Sequence, residues 1–304
     1  MHTGRALAGI LPLVPRPIVW AVAKRYVAGS TLEDALRVTD ALERQRRLVS
    51  LDVLGEQFRT REQVAAMMAE YENALGKLEH DHPSATLSVM MTGFGLRLDP
   101  ELCWENVRRL AADAADRGIA ITLNMEDSST VDATLDVYRR LRAEGFEGVG
   151  IVLQSCLRRT LDDVAALGQL RPRVRIVKGI WHEPESVAYL DAQTIRQKYL
   201  AILEGIIACG GHPEVATHDE WLVERSLELL RALSPMLYEF QMLLGVTPKL
   251  GDSLIARGHR LRVYVPYGQD WYAYSLRRLR ENPEMAQYIA RDVISQLPPF
   301  RASR

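Results

Sequence analysis

The chain has 304 residues and a formal net charge of −1, which argues against a broad nucleic-acid-binding surface. Hydrophobic residues make up 47% of the sequence and charged residues 25%, as in an ordinary globular protein. Cys103, Cys156 and Cys209 lack the spacing of a structural zinc site and indicate no disulfide framework. We therefore expect a reducing, cytoplasmic location.

The N-terminal region contains an apolar segment, residues 8–23, that could be mistaken for a signal or membrane segment. Pro12, Pro15 and Pro17 interrupt it, and no uninterrupted apolar run approaches the ~20 residues that a membrane-spanning helix needs. The segment is expected to form a short amphipathic helix. No integral membrane segment is predicted.

Eight apolar segments recur along the rest of the chain, separated by helical patterns, and predict buried parallel strands. They cover residues 48–54, 85–91, 119–125, 148–154, 174–179, 214–218, 237–243 and 261–266. Eight strands alternating with helices over about 250 residues favour one (β/α)8 barrel, an α/β fold, over a doubly wound sheet. The predicted organisation is a helical lead-in, residues 1–46, followed by a single barrel domain, residues 47–304.

Capping signals predict where several helices begin and end. Ser30 to Glu33 reads as a capping box, and Asp99 followed by Pro100 is a helix N-cap whose helix ends at Gly118. Further helices are predicted over residues 130–144, 186–207 and 219–233.

Several common catalytic motifs are missing from the sequence. It has no Walker A loop, no complete dinucleotide fingerprint and no G-x-S-x-G elbow. His212 and His218 lie in a strand segment without a carboxylate at ligand spacing, and His80, Asp81 and His82 lie in a loop before the second strand, so no metal site is predicted.

Polar residues follow or end most of the predicted strands, where a (β/α)8 barrel keeps its active site. They are Asp52, Asn124, Glu126, Gln154, Arg175, Lys178, Thr217, His218, Glu239, Gln241 and Tyr264. Burying so many polar groups without partners would be costly. Any one of them could have a structural role, but the set predicts a polar ligand-binding mouth.

Residues 262–282 form a strand, a turn and a helix with one distinctive face. Tyr274, Arg277, Arg278 and Glu281 recur at helical spacing, and a pair of arginines suits a small carboxylate. A solvated helix face is the alternative. The nearby aromatic residues, at 267, 271 and 272, fit either a packed core or the wall of a planar cofactor.

The motifs together resemble those of the monofunctional bacterial proline dehydrogenases, from about residue 23 to residue 297. They are RYVAGSTLEDAL (25–36), LDVLGE (51–56), MED (125–127), RIVKG (175–179), ATHD (216–219), EFQML (239–243) and RVYVPYGQDWYAYSLRRLREN (262–282). The resemblance implies a distorted (β/α)8 barrel that holds FAD. It also implies oxidation of L-proline to pyrroline-5-carboxylate by hydride transfer to flavin N5.

By motif position, the resemblance implies roles for individual residues. Arg277 and Arg278 would bind the substrate carboxylate, and the residues around the rest of the substrate would be Leu243, Tyr264, Tyr274 and Glu281. The flavin would be held by Gln154, Arg175, Val177, Lys178, Thr217 and His218. Relatives pass electrons to membrane quinone, which implies a quinone acceptor and peripheral contact with the inner membrane face.

Four positions depart from the family pattern. Met90 replaces the usual lysine, Asn124 the usual aspartate, Trp181 a tyrosine and Cys156 a further tyrosine. Because the lysine and aspartate form an ion pair in relatives, their joint loss leaves no buried charge unpaired. The chain would then be a slow proline dehydrogenase, or an enzyme retuned for a modified, N-substituted or larger amino acid. An inert barrel that binds a carboxylate ligand or a partner protein is the third alternative.

Overall fold

The computed structural model describes residues 16–56 and 58–281, without the side chains of residues 17, 18, 21, 22 and 277–281. Eight parallel strands form a closed barrel in sequence order, and β8 pairs with β1 to close it. The predicted (β/α)8 barrel is confirmed.

The strands lie within one or two residues of most predicted bounds. They are β1 Leu48–Val53, β2 Thr86–Val89, β3 Ile121–Leu123, β4 Val149–Gln154, β5 Arg173–Val177, β6 His212–Ala216, β7 Glu239–Leu243 and β8 Leu261–Tyr267. The described α-helices are α1 Arg16–Ala23, α2 Leu32–Arg44, α3 Arg61–Asp81, α4 Pro100–Asp116, α5 Val131–Ala143, α6 Thr160–Leu167, α7 Ala192–Ala208, α8 Glu220–Leu230, α9 Pro248–Ala256 and α10 Trp271–Glu281.

Local sequence signals explain several helix ends. Asp99 accepts hydrogen bonds from the first backbone N–H groups of α4, and Gly118 just after that helix has φ of 69°, as predicted. The capping box of α2 is formed by Thr31 and Asp34, one residue later than predicted.

The prediction that a helix begins at residue 186 is wrong, because α7 begins at Ala192 with Asp191 as its N-cap. The preceding segment is held by backbone hydrogen bonds to the β4 exit: Tyr189 N–H donates to the Cys156 carbonyl at 2.7 Å, and Leu157 bridges to Ala188. Ala188 N–H donates to the Pro184 carbonyl at 3.1 Å, but this single turn does not continue into a helix because the next N–H, that of Tyr189, donates to Cys156 instead.

The main apolar core lies between the strands and the surrounding helices. Its largest buried side chains include Tyr71, Tyr138, Tyr199, Phe94 and Phe240. The barrel interior differs from the apolar layers usual in this fold, because alternate strand positions there are polar. Across the barrel, Arg175 contacts Ser50, Ser88 and Gln241. Arg262 contacts Glu239 on the neighbouring strand β7.

A second apolar cluster joins the N-terminal segment to α10. Tyr26, Val27 and Tyr274 are buried in it, and the ring of Trp20 lies edge-on to Trp271 at 4.7 Å. The cluster fixes the start of α10 beside the mouth of the barrel. Among the described residues, no helix is both long and apolar enough to cross a membrane.

Candidate active site

A cavity of about 1270 Å³ opens at the carboxyl ends of the strands. Twelve described residues contribute to its lining: all those to which the resemblance assigns a substrate or flavin contact, and three of the positions expected to depart from the family pattern. These residues are Met90, Asn124, Gln154, Arg175, Val177, Lys178, Trp181, Thr217, His218, Leu243, Tyr264 and Tyr274. Arg277, Arg278 and Glu281 belong to α10, but their side chains lie outside what is described.

Arg175 is the most connected side chain of the cavity floor. Its Nε donates to Gln241 Oε1 at 2.5 Å, while Nη1 donates to Ser88 Oγ at 2.9 Å and to Asn124 Oδ1 at 3.0 Å. The guanidinium carbon lies 5.2 Å from the centre of the Tyr264 ring. Burial lowers the pKa of Arg175, but a guanidinium keeps its charge at any working pH.

Two carboxylates lie inside the barrel beneath this guanidinium. Gln241 Nε2 donates to Glu214 Oε2 at 2.7 Å and to Glu239 Oε1 at 2.8 Å. Each carboxylate also has an arginine of its own: Arg173 Nε lies 2.6 Å from Glu214, and Arg262 Nε donates to Glu239 at 2.6 Å. Burial raises the pKa of Glu239, but the charge and hydrogen bonds of Arg262 outweigh it, so the net pKa is low.

Met90 and Asn124, which we expect to replace an ion pair of the family, are neighbours. Asn124 Nδ2 lies 3.3 Å from Met90 Sδ and also 3.3 Å from Tyr264 Oη, to which it donates. Met90 and Asn124 therefore form a neutral wall of the cavity.

The Gln154 side chain is held by a hydrogen bond to Glu126. Its Nε2 donates to the Glu126 carbonyl at 2.8 Å, while the Glu126 carboxylate accepts from the backbone and hydroxyl of Thr92 at 2.9 and 2.6 Å. Glu126 does not line the cavity, and burial raises its pKa. Glu239 does not line it either, because it begins β7 and so lies towards the amino end of the barrel. The prediction that these two carboxylates face the mouth is wrong.

A mixed-charge cluster borders the cavity beside α8. Asp219, the N-cap of α8, accepts from Arg196 Nε at 2.8 Å and lies 3.4 Å from Lys178 Nζ. Partial burial opposes ionisation of Asp219, but Arg196 and Lys178 outweigh it and lower the pKa. His218 Nε2 accepts from the backbone N–H of Leu243 at 2.9 Å, which ties the exit of β6 to the end of β7.

The aromatic residues around α10 have different environments. Tyr274 is 5% exposed and lines the cavity, whereas Tyr267 is fully buried and does not line it. Trp271 packs on Trp20, so Tyr267 and Trp271 serve packing rather than a cofactor wall. Cys156 also lies behind the cavity, with its Sγ against Gly179.

Sequence reasoning missed two kinds of residue. Arg196 and Trp221 line the cavity from α7 and α8. Arg196 is far along the chain from any strand end and gave no signal, whereas the position of Trp221 soon after the end of β6 could have identified it. Glu214 and Arg173 occupy interior strand positions. Polar residues at alternate positions of the predicted strands were the signal that could have identified them.

Comparisons with known proteins identify the family of the chain. The family model described as proline dehydrogenase matches residues 35–291. The chain is 38% identical over 289 residues to the proline dehydrogenase of Deinococcus radiodurans, covering 92% of each chain. It is 32% identical over 276 residues to proline dehydrogenase 1 of Bacillus subtilis strain 168, covering 90% of this chain and 91% of that protein.

Solved structures share the fold. Proline utilization A from Bdellovibrio bacteriovorus, in a form inactivated by N-propargylglycine, superposes with a TM-score of 0.81 at 22% identity. The match covers 91% of this chain but only 34% of that longer protein. With the family match and the two bacterial relatives, the chain belongs to the proline dehydrogenase family of oxidoreductases.

Proposed function

We propose that the protein catalyses the FAD-dependent oxidation of L-proline to pyrroline-5-carboxylate. Enzymes of its family are flavin-dependent. The observation that carries the proposal is the convergence of all twelve described candidate side chains on one cavity in a chain of this family.

The lining fits a flavin dinucleotide. A volume of about 1270 Å³ exceeds the roughly 300–1,000 Å³ of most ligand pockets, which leaves room for a large cofactor and a small substrate. Arg175, Lys178 and Arg196 supply positive charge for a pyrophosphate or an electron-rich ring edge. Gln154 and Thr217 supply neutral polar groups. The flavin, when bound, supplies the two-electron acceptor at N5.

The remaining residues would bind and orient the substrate. Arg277 and Arg278 would hold the carboxylate, since their positions on α10 follow Tyr274 by one helical turn. Tyr264 and Leu243 would contact the proline ring, and Tyr274 with Glu281 would complete the enclosure. Fixing the acid group in this way would present the C–H bond next to nitrogen for hydride removal and exclude water from it.

The neutral wall would face the same substrate. Met90 and Asn124 would replace an ion pair with apolar and amide surface, and Trp181 would replace a tyrosine, while the arginine pair would still hold the proline carboxylate. We expect this exchange to slow the enzyme without preventing folding or flavin binding.

The first experiment measures flavin content and its reduction. Purified protein should show flavin absorption bands, and anaerobic L-proline should bleach them, with D-proline as the control. Absence of the bands would refute the proposal. Bleaching only by N-substituted or larger amino acids would indicate a retuned pocket, and bleaching by no amine would indicate an inert barrel.

A second experiment tests the arginine pair. Arg277→Met and Arg278→Met should raise the KM for L-proline by a factor of about 10², since each removes a charge-assisted contact worth roughly 1.5–3 kcal/mol. Arg280→Met is the matched control, because helical periodicity places position 280 about 120° around the axis from Tyr274. Equal effects of all three changes would contradict the assignment.

We also propose that a membrane quinone is the electron acceptor. The protein would be cytoplasmic and would make peripheral contact with the inner membrane face. The family resemblance supports it. Proline-reduced enzyme should be reoxidised faster by a short-chain ubiquinone analogue than by dissolved oxygen, and it should sediment with anionic lipid vesicles. Equal rates would count against a quinone.

A further inference from the structure

Gln241 lies between a guanidinium and two carboxylates in the middle of the barrel. Its carbonyl oxygen accepts from Arg175 Nε at 2.5 Å, and its NH₂ group donates to Glu214 at 2.7 Å and Glu239 at 2.8 Å. The residue is 3% exposed and lines the cavity. An amide can satisfy both neighbours because it has an acceptor at one end and donors at the other.

Without this amide, opposite charges would face each other directly. Arg175 Nε lies 4.0 Å from Glu214 Oε2, at the outer limit of an ion pair. Glu214 already pairs with Arg173, and Glu239 with Arg262. Arg260 Nη2 also lies 3.7 Å from Glu239, so the connected network holds four arginines and two glutamates and has a surplus of positive charge. Among its charged members, Arg175 lines the cavity and the other five do not.

We infer that Gln241 is a positioning residue that keeps the Arg175 guanidinium beside the cofactor and out of a direct ion pair with Glu214. This rests on the proposed function, because it takes the cofactor to be a flavin in the cavity. The consequence is electrostatic. A positive charge held there stabilises the negative charge that the flavin gains on reduction, and so raises its midpoint potential.

Two substitutions at this network should have opposite effects. Gln241→Met keeps a similar volume but removes the acceptor of Arg175, so the guanidinium should turn towards Glu214 and the midpoint potential should fall. Glu214→Gln keeps the shape and removes a negative charge near Arg175, so the potential should rise. General loosening of the site would shift both variants in the same direction.

The experiment measures the flavin-loaded protein without substrate. The midpoint potential is followed by dye-coupled reduction, and sulfite titration reports the affinity of flavin N5 for an anion. Sulfite should bind about tenfold more weakly to Gln241→Met and more tightly to Glu214→Gln. A nearby charge shifts a pKa by about one unit or more, and one unit is a tenfold change in an equilibrium constant. Thr122→Val is the control, because Thr122 Oγ1 accepts from Arg173 rather than Arg175. It should match the wild type.

Other outcomes would overturn the inference. Shifts of the same sign, unchanged potentials and sulfite affinities, or loss of flavin by both variants would each assign Gln241 a purely structural role. These results differ from failure of the proposed function, which wild-type protein without flavin bands, or unbleached by L-proline, would reveal.

Discussion

Asn124 donates a hydrogen bond to the hydroxyl of Tyr264 at 3.3 Å, which links β3 to β8 across the mouth of the barrel. The other end of the same amide accepts from Arg175 Nη1 at 3.0 Å. A carboxylate at this position could accept but could not donate. The amide thus joins three strands that do not neighbour one another, which makes Asn124 a useful site for testing the neutral wall.

Restoring the charged pair should accelerate the enzyme. Asn124→Asp alone should slow L-proline oxidation, because its negative charge offsets Arg175 and it no longer donates to Tyr264. Combined with Met90→Lys, whose ammonium would pair with the new carboxylate, it should raise kcat above wild type by a factor of about 10². Anaerobic stopped-flow bleaching measures both rates. Effects of the two changes that add within about 0.5 kcal/mol would contradict the coupling.

The Tyr264 ring should matter more than its hydroxyl. Tyr264→Phe keeps the aromatic face over Arg175 and loses one neutral hydrogen bond, so the KM should rise by less than about fivefold, or roughly 1 kcal/mol. Tyr264→Ala also removes the cation–π contact seen at 5.2 Å and should cost about tenfold or more. Steady-state kinetics of both variants decide this, and equal losses would show that the hydroxyl dominates.

Arg196 should contribute to flavin affinity. It lines the cavity and stacks on Trp221 at 5.6 Å, whereas Arg225 contacts the same ring at 5.8 Å from outside the cavity. Arg196→Gln should weaken FAD binding by about tenfold or more, as expected for a lost charge-assisted contact. Arg225→Gln is the matched control. Calorimetric titration of apoprotein with FAD gives both constants, and similar values would refute the role.

Acid should destabilise the protein partly through Glu239. Its pKa is low in the folded protein because the Arg262 contacts outweigh the effect of burial. The stabilisation is therefore complete above the ordinary glutamate pKa, about 4.3, and is lost as pH falls towards the lower folded value. Glu239→Gln should reduce stability at pH 7 by about 3–5 kcal/mol and flatten this acid dependence.

Urea unfolding at pH 7 and at pH 3.5 measures that difference. Glu228→Gln is the control, because its partner Arg225 is 51% exposed and an exposed pair contributes little. A wild-type midpoint that does not change between the two pH values would contradict the contribution of Glu239.

Gly245 should be intolerant of a side chain. Its φ is 70°, and a Cβ there would lie 2.0 Å from the carbonyl oxygen of Arg25. Gly258→Ala isolates the backbone strain, because that glycine has φ of 85° with open space around it, and should cost about 1–2 kcal/mol. Gly245→Ala should cost clearly more, as measured by urea unfolding. Equal costs would mean that the loop after β7 moves away freely.

The sequence predicts much of this structure because its signals are local. Apolar runs gave all eight strands, and Asp99 with Gly118 gave the ends of α4. The boundary of α7 failed because contacts from the distant β4 exit override helix-forming residues there. Glu239 was misplaced because a sequence motif does not show which of its residues lie at the ligand-binding end of the strand. Glu239 is the first residue of β7 and lies at the opposite end.

Contacts between distant segments were also unpredictable. No local pattern indicates that Arg196 would reach Asp219, or that Gln241 would separate Arg175 from Glu214. These pairings depend on which strands and helices become neighbours, and the chain length between them carries no such information. The side chains of Arg277, Arg278 and Glu281 lie outside the described residues, so their roles stay predictions.

The polar interior has a consequence for fragments of the chain. Arg175 on β5 needs partners on β1, β2, β3 and β7, and Arg262 on β8 needs a carboxylate on β7 and a carbonyl on β1. No run of four consecutive strands contains all of these. The half-barrel of β5 to β8, cut from this protein, would expose unpaired guanidinium groups where other barrels present leucine and valine, so we expect that half not to fold alone.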